Sequence, residues 1–136
     1  MSQILVPVSL GELIDKITIL EIKSERISDP AKLANVRLEL EQLNQVSALD
    51  EELLSNIADL RVNLKAVNSD LWEIEDRIRI KESLAEFDQE FIELARSVYF
   101  RNDDRAAFKR SISVQQGYDL VEEKSYADYR RVDARD

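Results

Sequence analysis

The most regular pattern in the chain lies between residues 53 and 78. There Leu53, Ile57, Leu60, Leu64, Val67, Leu71, Ile74 and Ile78 alternate spacings of four and three without a fault. A 3.5-residue repeat keeps one seam facing a partner helix and gives a coiled-coil-like packing edge. Asn68-Ser69-Asp70 has the composition of a turn, but the seam passes through it, so continuous helix is expected. The register slips after Ile78 and resumes as Leu84, Phe87, Phe91, Leu94 and Val98. One helix from about residue 50 to about 99 would be roughly 75 Å long, and the pattern leaves open whether it kinks or breaks near residues 79–83.

Upstream, residues 4–8 form a short apolar run interrupted by Pro7, which reads as an extended arm or an edge strand. Ser9-Leu10-Gly11-Glu12 has the form of a capping box that opens a helix running to Ile27. At 100° per residue, Leu10, Leu13, Ile14, Ile17, Leu20 and Ile27 share one side, while Ile19 and Ile22 fall elsewhere. That helix is therefore expected to be covered on more than one side. Glu21 falls inside the main apolar arc, which makes it the candidate buried charge. Asp29-Pro30 restarts a helix with Leu33, Val36, Leu40 and Leu43, fading near residues 46–48, after which Ser47 or Asp50 caps the next segment. Downstream, Asn102-Asp103 reads as the cap of a short basic helix through about Gln116, ended by Gly117.

The expected fold is all-α: a long antiparallel helical hairpin or bundle with a heptad seam, in one domain. It divides into an arm (1–9), the hairpin (10–100), a short basic helix (101–117) and a tail (118–136).

Composition narrows the chemistry. The 136 residues contain no Cys and no His, so thiol nucleophiles, disulfides, zinc fingers and Ser-His-Asp triads are excluded. The start MSQILVPVSL has no cationic region and a short apolar run, so neither a signal peptide nor a membrane span is expected, and a cytoplasmic location is the default. A net charge of −9, with −7 in residues 31–90 alone, argues against a nucleic-acid footprint. Acidic pairs at a spacing of three, such as Glu12/Asp15 and Glu90/Glu93, occur about as often as composition alone would place them. No metal site and no cofactor are expected.

Residues 91–116 reverse the local charge. Arg96, Arg101, Arg105, Lys109 and Arg110 face only Glu93, Asp103 and Asp104. Arg101, Arg105, Lys109 and Arg110 are therefore the candidate anion-binding set. The competing reading, which is preferred, is that the acidic stripe Glu82, Glu86, Glu90 and Glu93 answers them within the chain. Tyr118, Tyr126 and Tyr129 in the tail are candidate contacts to a ligand, to another subunit or, preferentially, to the domain itself. Glu21 is expected to be neutralised by a nearby Lys or Arg, and Trp72 to lie in the core or an interface.

Two stretches resemble a bacterial family known only as a domain of unknown function: VPVSLGELIDKITILEIKSERI with KLANVRLEL, and LWEIEDRIRIKE through RNDDRAAFKR to LVEEKSYADY. The segment SISVQQGYDLVEEKSY departs from the pattern, which has Asn and a Gly-Ser pair there. The resemblance implies no established activity and no catalytic residues. Through the company such proteins keep, it implies a partner of glycosyltransferase type and a link to surface-polysaccharide assembly. The function expected from the residues is a helical interaction module that self-associates through the 53–78 seam, most simply as a dimer. The alternative is an accessory ligand-binding protein or enzyme that holds a phosphate-bearing substrate, such as a nucleotide sugar, at the basic corner.

Overall fold

The computed structural model describes residues 3–118 and 121–130, and among them the fold is all-helical. The order is α1 (Leu10–Arg26), α2 (Pro30–Ser47), α3 (Glu51–Asn56), α4 (Ala58–Ser83) and α5 (Gln89–Gln115). Each of four starts is set by a local oxygen. Ser9 Oγ accepts from the N–H of Glu12, Asp29 from Lys32, Asp50 from Leu53 and Asp88 from Phe91.

Helix α1 is the centre of the molecule, packing against α2, α4 and α5. Ile14 and Ile17 are fully buried with Ile57, Leu64 and Ile112, and Leu10 completes that cluster. Helix α2 lies on the outside of α1 and buries none of its residues fully. The antiparallel α4–α5 hairpin supplies the rest of the core.

The long helix expected over residues 50–99 is broken twice. Ile57 ends α3 with φ −101° and ψ 6°, donating its N–H to Leu53 and Ser55 carbonyls, and α4 begins at the next residue. The second break falls at residues 84–88, not 79–83. There the N–H of Ala85 reaches the Glu82 carbonyl and that of Glu86 reaches Lys81, a Schellman ending with Ala85 in the left-handed region at φ 53°. Gly117 closes α5 through the same pattern at φ 72°, with Tyr118 N–H on the Ser113 carbonyl. Through Asn68-Ser69-Asp70 the helix continues as expected.

The short basic helix capped by Asn102-Asp103 does not exist as a separate element. Its residues are the C-terminal half of α5, which runs unbroken from Gln89 to Gln115. Asn102 and Asp103 lie inside the helix and cap no start, while Arg105 and Lys109 tie this half of α5 to Asp15 and Glu12 of α1. The arm has no regular secondary structure and forms no strand among the described residues, and Gln3 is bonded to Gln42. Among the described residues no helix is long and apolar enough to cross a membrane.

Candidate functional site

A polar seam runs through the centre of the helical bundle, and it starts from a stripe on α1. Gly11, Asp15, Thr18 and Ile22 recur at spacings of four, three and four, all buried, on the side facing α4 and α5. Gly11 sits so close to α5 that a Cβ there would lie 2.2 Å from the Lys109 carbonyl oxygen. Its N–H donates to Ser113 Oγ at 2.9 Å. One turn on, the Asp15 carboxylate is 1% exposed and saturated with donors. Arg105 grips it with two bonds, Nε to Oδ1 at 2.9 Å and Nη2 to Oδ2 at 2.6 Å, and Asn68 Nδ2 adds a third at 2.9 Å. Asn68 also donates to Thr18 Oγ1, whose hydroxyl donates back to the Asp15 carbonyl. Every buried side-chain polar atom among the described residues has a partner.

Lys109 extends this seam to the surface. Its ammonium lies 2.7 Å from Glu12, 2.6 Å from Glu122 of the tail and 4.0 Å from Asp15. Burial works against its charge, but the hydrogen bonds it donates to Glu12 and Glu122 outweigh that and raise its pKa above the ordinary lysine value. Arg105 is raised too, first by its bonds to Asp15 and against the burial that opposes them. Arg110 pairs with Glu123, the next tail residue. A small polar cleft of about 210 Å³ lies between Arg105, Lys109, Glu12, Glu122 and Lys124.

The structure thus brings Arg105 and Lys109 together against α1 and the tail. Arg110 is exposed and among the described residues meets only Glu123, and Arg101 is bonded to Asp104 a turn away. The carboxylate partners of Arg105, Lys109 and Arg110 come from α1 and the tail. The acidic stripe of Glu82, Glu86, Glu90 and Glu93 does not supply them: Lys81 engages Glu86, Asp88 and Glu90, and Arg77 engages Glu90. Glu21 is half-buried, not buried, and pairs with Arg61 at 3.1 Å and Lys65 at 3.6 Å. Among the described residues Asp15 is the buried carboxylate. Its signal was present as the small-and-polar stripe at helical spacing, on the face away from the leucines.

The heptad seam divides in use. Ile57, Leu64 and Val67 are buried within the single chain, so these positions are not free to face a second copy, whereas Leu53 and Leu60 pack on the same core but stay half-covered. Leu71, Ile74 and Ile78, farther along α4, are only half-covered. Trp72 is half-buried beside them.

In the tail, Tyr129 stacks on Tyr99 and Phe100 of α5, with ring centroids 5.1 Å and 4.9 Å away. Tyr126 lies exposed under the Lys124 ammonium, and Tyr118 lines a groove with Leu10 and Leu13. Among the described residues no three carboxylates are placed to hold a metal ion.

The model of a family described as a family of unknown function (DUF6165) matches residues 4–132 of the chain. No curated protein and no solved structure matches it.

Proposed function

The chain belongs to this family of unknown function, and we propose that it acts as a helical protein–protein interaction module that self-associates, most simply as a dimer. The observation that carries the reading is the N-terminal arm. Ile4, Leu5 and Val6 are consecutive apolar residues left almost bare, Ile4 at 92% exposure and Leu5 at 88%. Contiguous apolar surface of this kind marks interaction sites more often than free surface.

The arm carries no charged residue between positions 3 and 8. It leaves the bundle beside an apolar groove of about 340 Å³ formed by Leu10, Leu13, Val46, Leu49, Leu53 and Tyr118. Reciprocal seating of each arm in the other copy's groove gives a closed two-fold contact. This moves the homotypic surface from the middle of the heptad seam to its first residue, Leu53, and to the arm. Sedimentation velocity at tens of micromolar is expected to show a dimer that Leu5→Asp dissociates. A strict monomer at that concentration overturns the proposal.

A second reading rests on the tail. Glu122 and Glu123 sit on Lys109 and Arg110 where an anionic ligand's oxygens would sit, and both are substantially exposed and displaceable. A phosphate-bearing ligand such as a nucleotide sugar would then compete with the tail. Thermal shift with uridine diphosphate sugars, lost in Arg110→Met, tests it. No shift across the panel counts against it.

A further inference from the structure

Helix α1 ends at Arg26, which reaches Glu73 of α4. Past that level, residues 74–83 of α4 rise about another 15 Å and, with the start of α5, form a two-helix tip that α1 does not cover. The apolar pattern does not stop with the cover. Ile74, Ile78 and Phe91 remain half-covered, and the turn itself presents Leu84 and Phe87, 60% and 58% exposed. Phe87 and Phe91 stack edge to face with centroids 5.2 Å apart. A two-stranded tip of this kind is one helix short of the three-helix packing found lower down.

The rim of the tip is strongly acidic. Residues 73–93 contain eight carboxylates against Arg77, Arg79 and Lys81. All three cations are already engaged: Arg77 by Glu90, Arg79 by Glu75, and Lys81 by Glu86, Asp88 and Glu90 together. Asp76 and Glu82 have no ion-pair partner among the described residues, so their field faces outward.

We infer that the tip is the docking site for a cationic amphipathic helix of another protein, of about three turns, laying an apolar stripe against Phe87, Phe91, Leu84 and Ile78 with Lys or Arg flanking it. Helix-in-groove binding needs an apolar seat, and charge complementarity selects the partner. A second copy is disfavoured as occupant because two acidic tips repel, and four of its five α5 cations are already answered, Arg101 by Asp104 and Arg105, Lys109 and Arg110 by Glu12, Asp15, Glu122 and Glu123. Among the described residues this leaves a single arginine, Arg96, against the acidic tip. An anionic membrane surface or a nucleic acid is repelled by the same field.

The inference rests on the interaction-module reading but uses a surface separate from the arm. The test titrates the full-length protein with a fluorescently labelled 18-residue peptide carrying a leucine stripe at helical spacing and lysines elsewhere. Two comparison peptides have glutamate in place of lysine, or the same composition with the stripe scrambled. Only the Leu/Lys stripe peptide is expected to bind in the micromolar range. Leu84→Ser with Phe87→Ser, and separately Asp76→Lys with Glu82→Lys, are expected to weaken it at least tenfold, with an unchanged circular dichroism spectrum because all four residues are on the surface. Equal binding of the scrambled or glutamate peptide, or no loss in the tip variants, overturns the inference. Light scattering separates the two proposals: a dimer dispersed by the tip variants makes the tip the homotypic face, which sinks this inference and leaves self-association standing.

Discussion

Replacing Gly11 with alanine sets two effects of opposite sign against each other. At an open helix position the change stabilises by about 1 kcal/mol, because glycine is the poorer helix former. At Gly11 the new Cβ would stand 2.2 Å from the Lys109 carbonyl oxygen, 2.8 Å from its carbon and 3.0 Å from its Cα. A comfortable carbon–oxygen contact is about 3.3 Å, so α1 and α5 must separate by about 1 Å. The oxygen belongs to helix backbone and cannot rotate aside. Separation stretches the Gly11–Ser113 bond and, one turn along, the two bonds from Arg105 to Asp15. Overpacking costs about 1–3 kcal/mol, and weakening a hydrogen bond to a charged group adds about 1.5–3 kcal/mol when fully lost. These outweigh the propensity gain. The expected net loss is about 3 kcal/mol, or about 10 °C in Tm for a chain of this length. Urea denaturation followed by far-ultraviolet circular dichroism measures it. A variant as stable as the parent would show that α1 and α5 do not touch there, and the polar seam built on that contact would fall with it.

Three further outcomes are expected. Asp15→Asn keeps the shape of the side chain but leaves Arg105 facing a neutral group in a mostly buried site, for a loss of about 3 kcal/mol; a urea-derived loss under about 0.5 kcal/mol would mean that solvent screens the pair. Ala85→Gly removes the penalty of a left-handed alanine at φ 53° and is expected to stabilise by about 1 kcal/mol, whereas Gly117→Ala, at φ 72° with open space around it, should destabilise by a similar amount. Calorimetric melting of both should move in opposite directions, and a shift of the same sign would contradict the shared cap geometry. The tail contact is expected to depend on pH. The Lys109 ammonium holds the Glu122 carboxyl below its usual 4.5, so its contribution is present above pH 4.5 and is lost as pH falls through the lower folded value. The Lys109 pKa is raised above 10.5, so its own contribution is present below that pH and is lost as pH climbs through the higher folded value. The stability difference between the parent and Glu122→Gln should therefore shrink on acidification below pH 4.5. A difference that stays constant down to pH 2 would show that Glu122 is not held by Lys109.

What the sequence determined by itself was local. Ser9, Asp29 and Asp50 opened helices where their side-chain oxygens could reach an N–H three residues on, and Gly117 closed one because only glycine takes φ 72° without strain. The heptad repeat carried α4 through Asn68-Ser69-Asp70, and the resemblance to a family of unknown function matched the family to which the chain belongs. These signals involve neighbours a few residues apart, so a linear reading captures them.

Tertiary structure decided the rest, because the deciding partners are far apart in the chain. Asn102-Asp103 has the chemistry of a cap, but both residues lie inside α5, whose Arg105 is bound to a carboxylate 90 residues away. Glu21 and Asp15 lie on the same helix. Only the position of Arg105 and Asn68 in space makes Asp15 the buried one and leaves Glu21 half in water. The basic corner was legible as residues, yet its partners on α1 and the tail were not. The seam was legible as an apolar line, while the length of α1 determined where the core ends and the open, acidic tip begins.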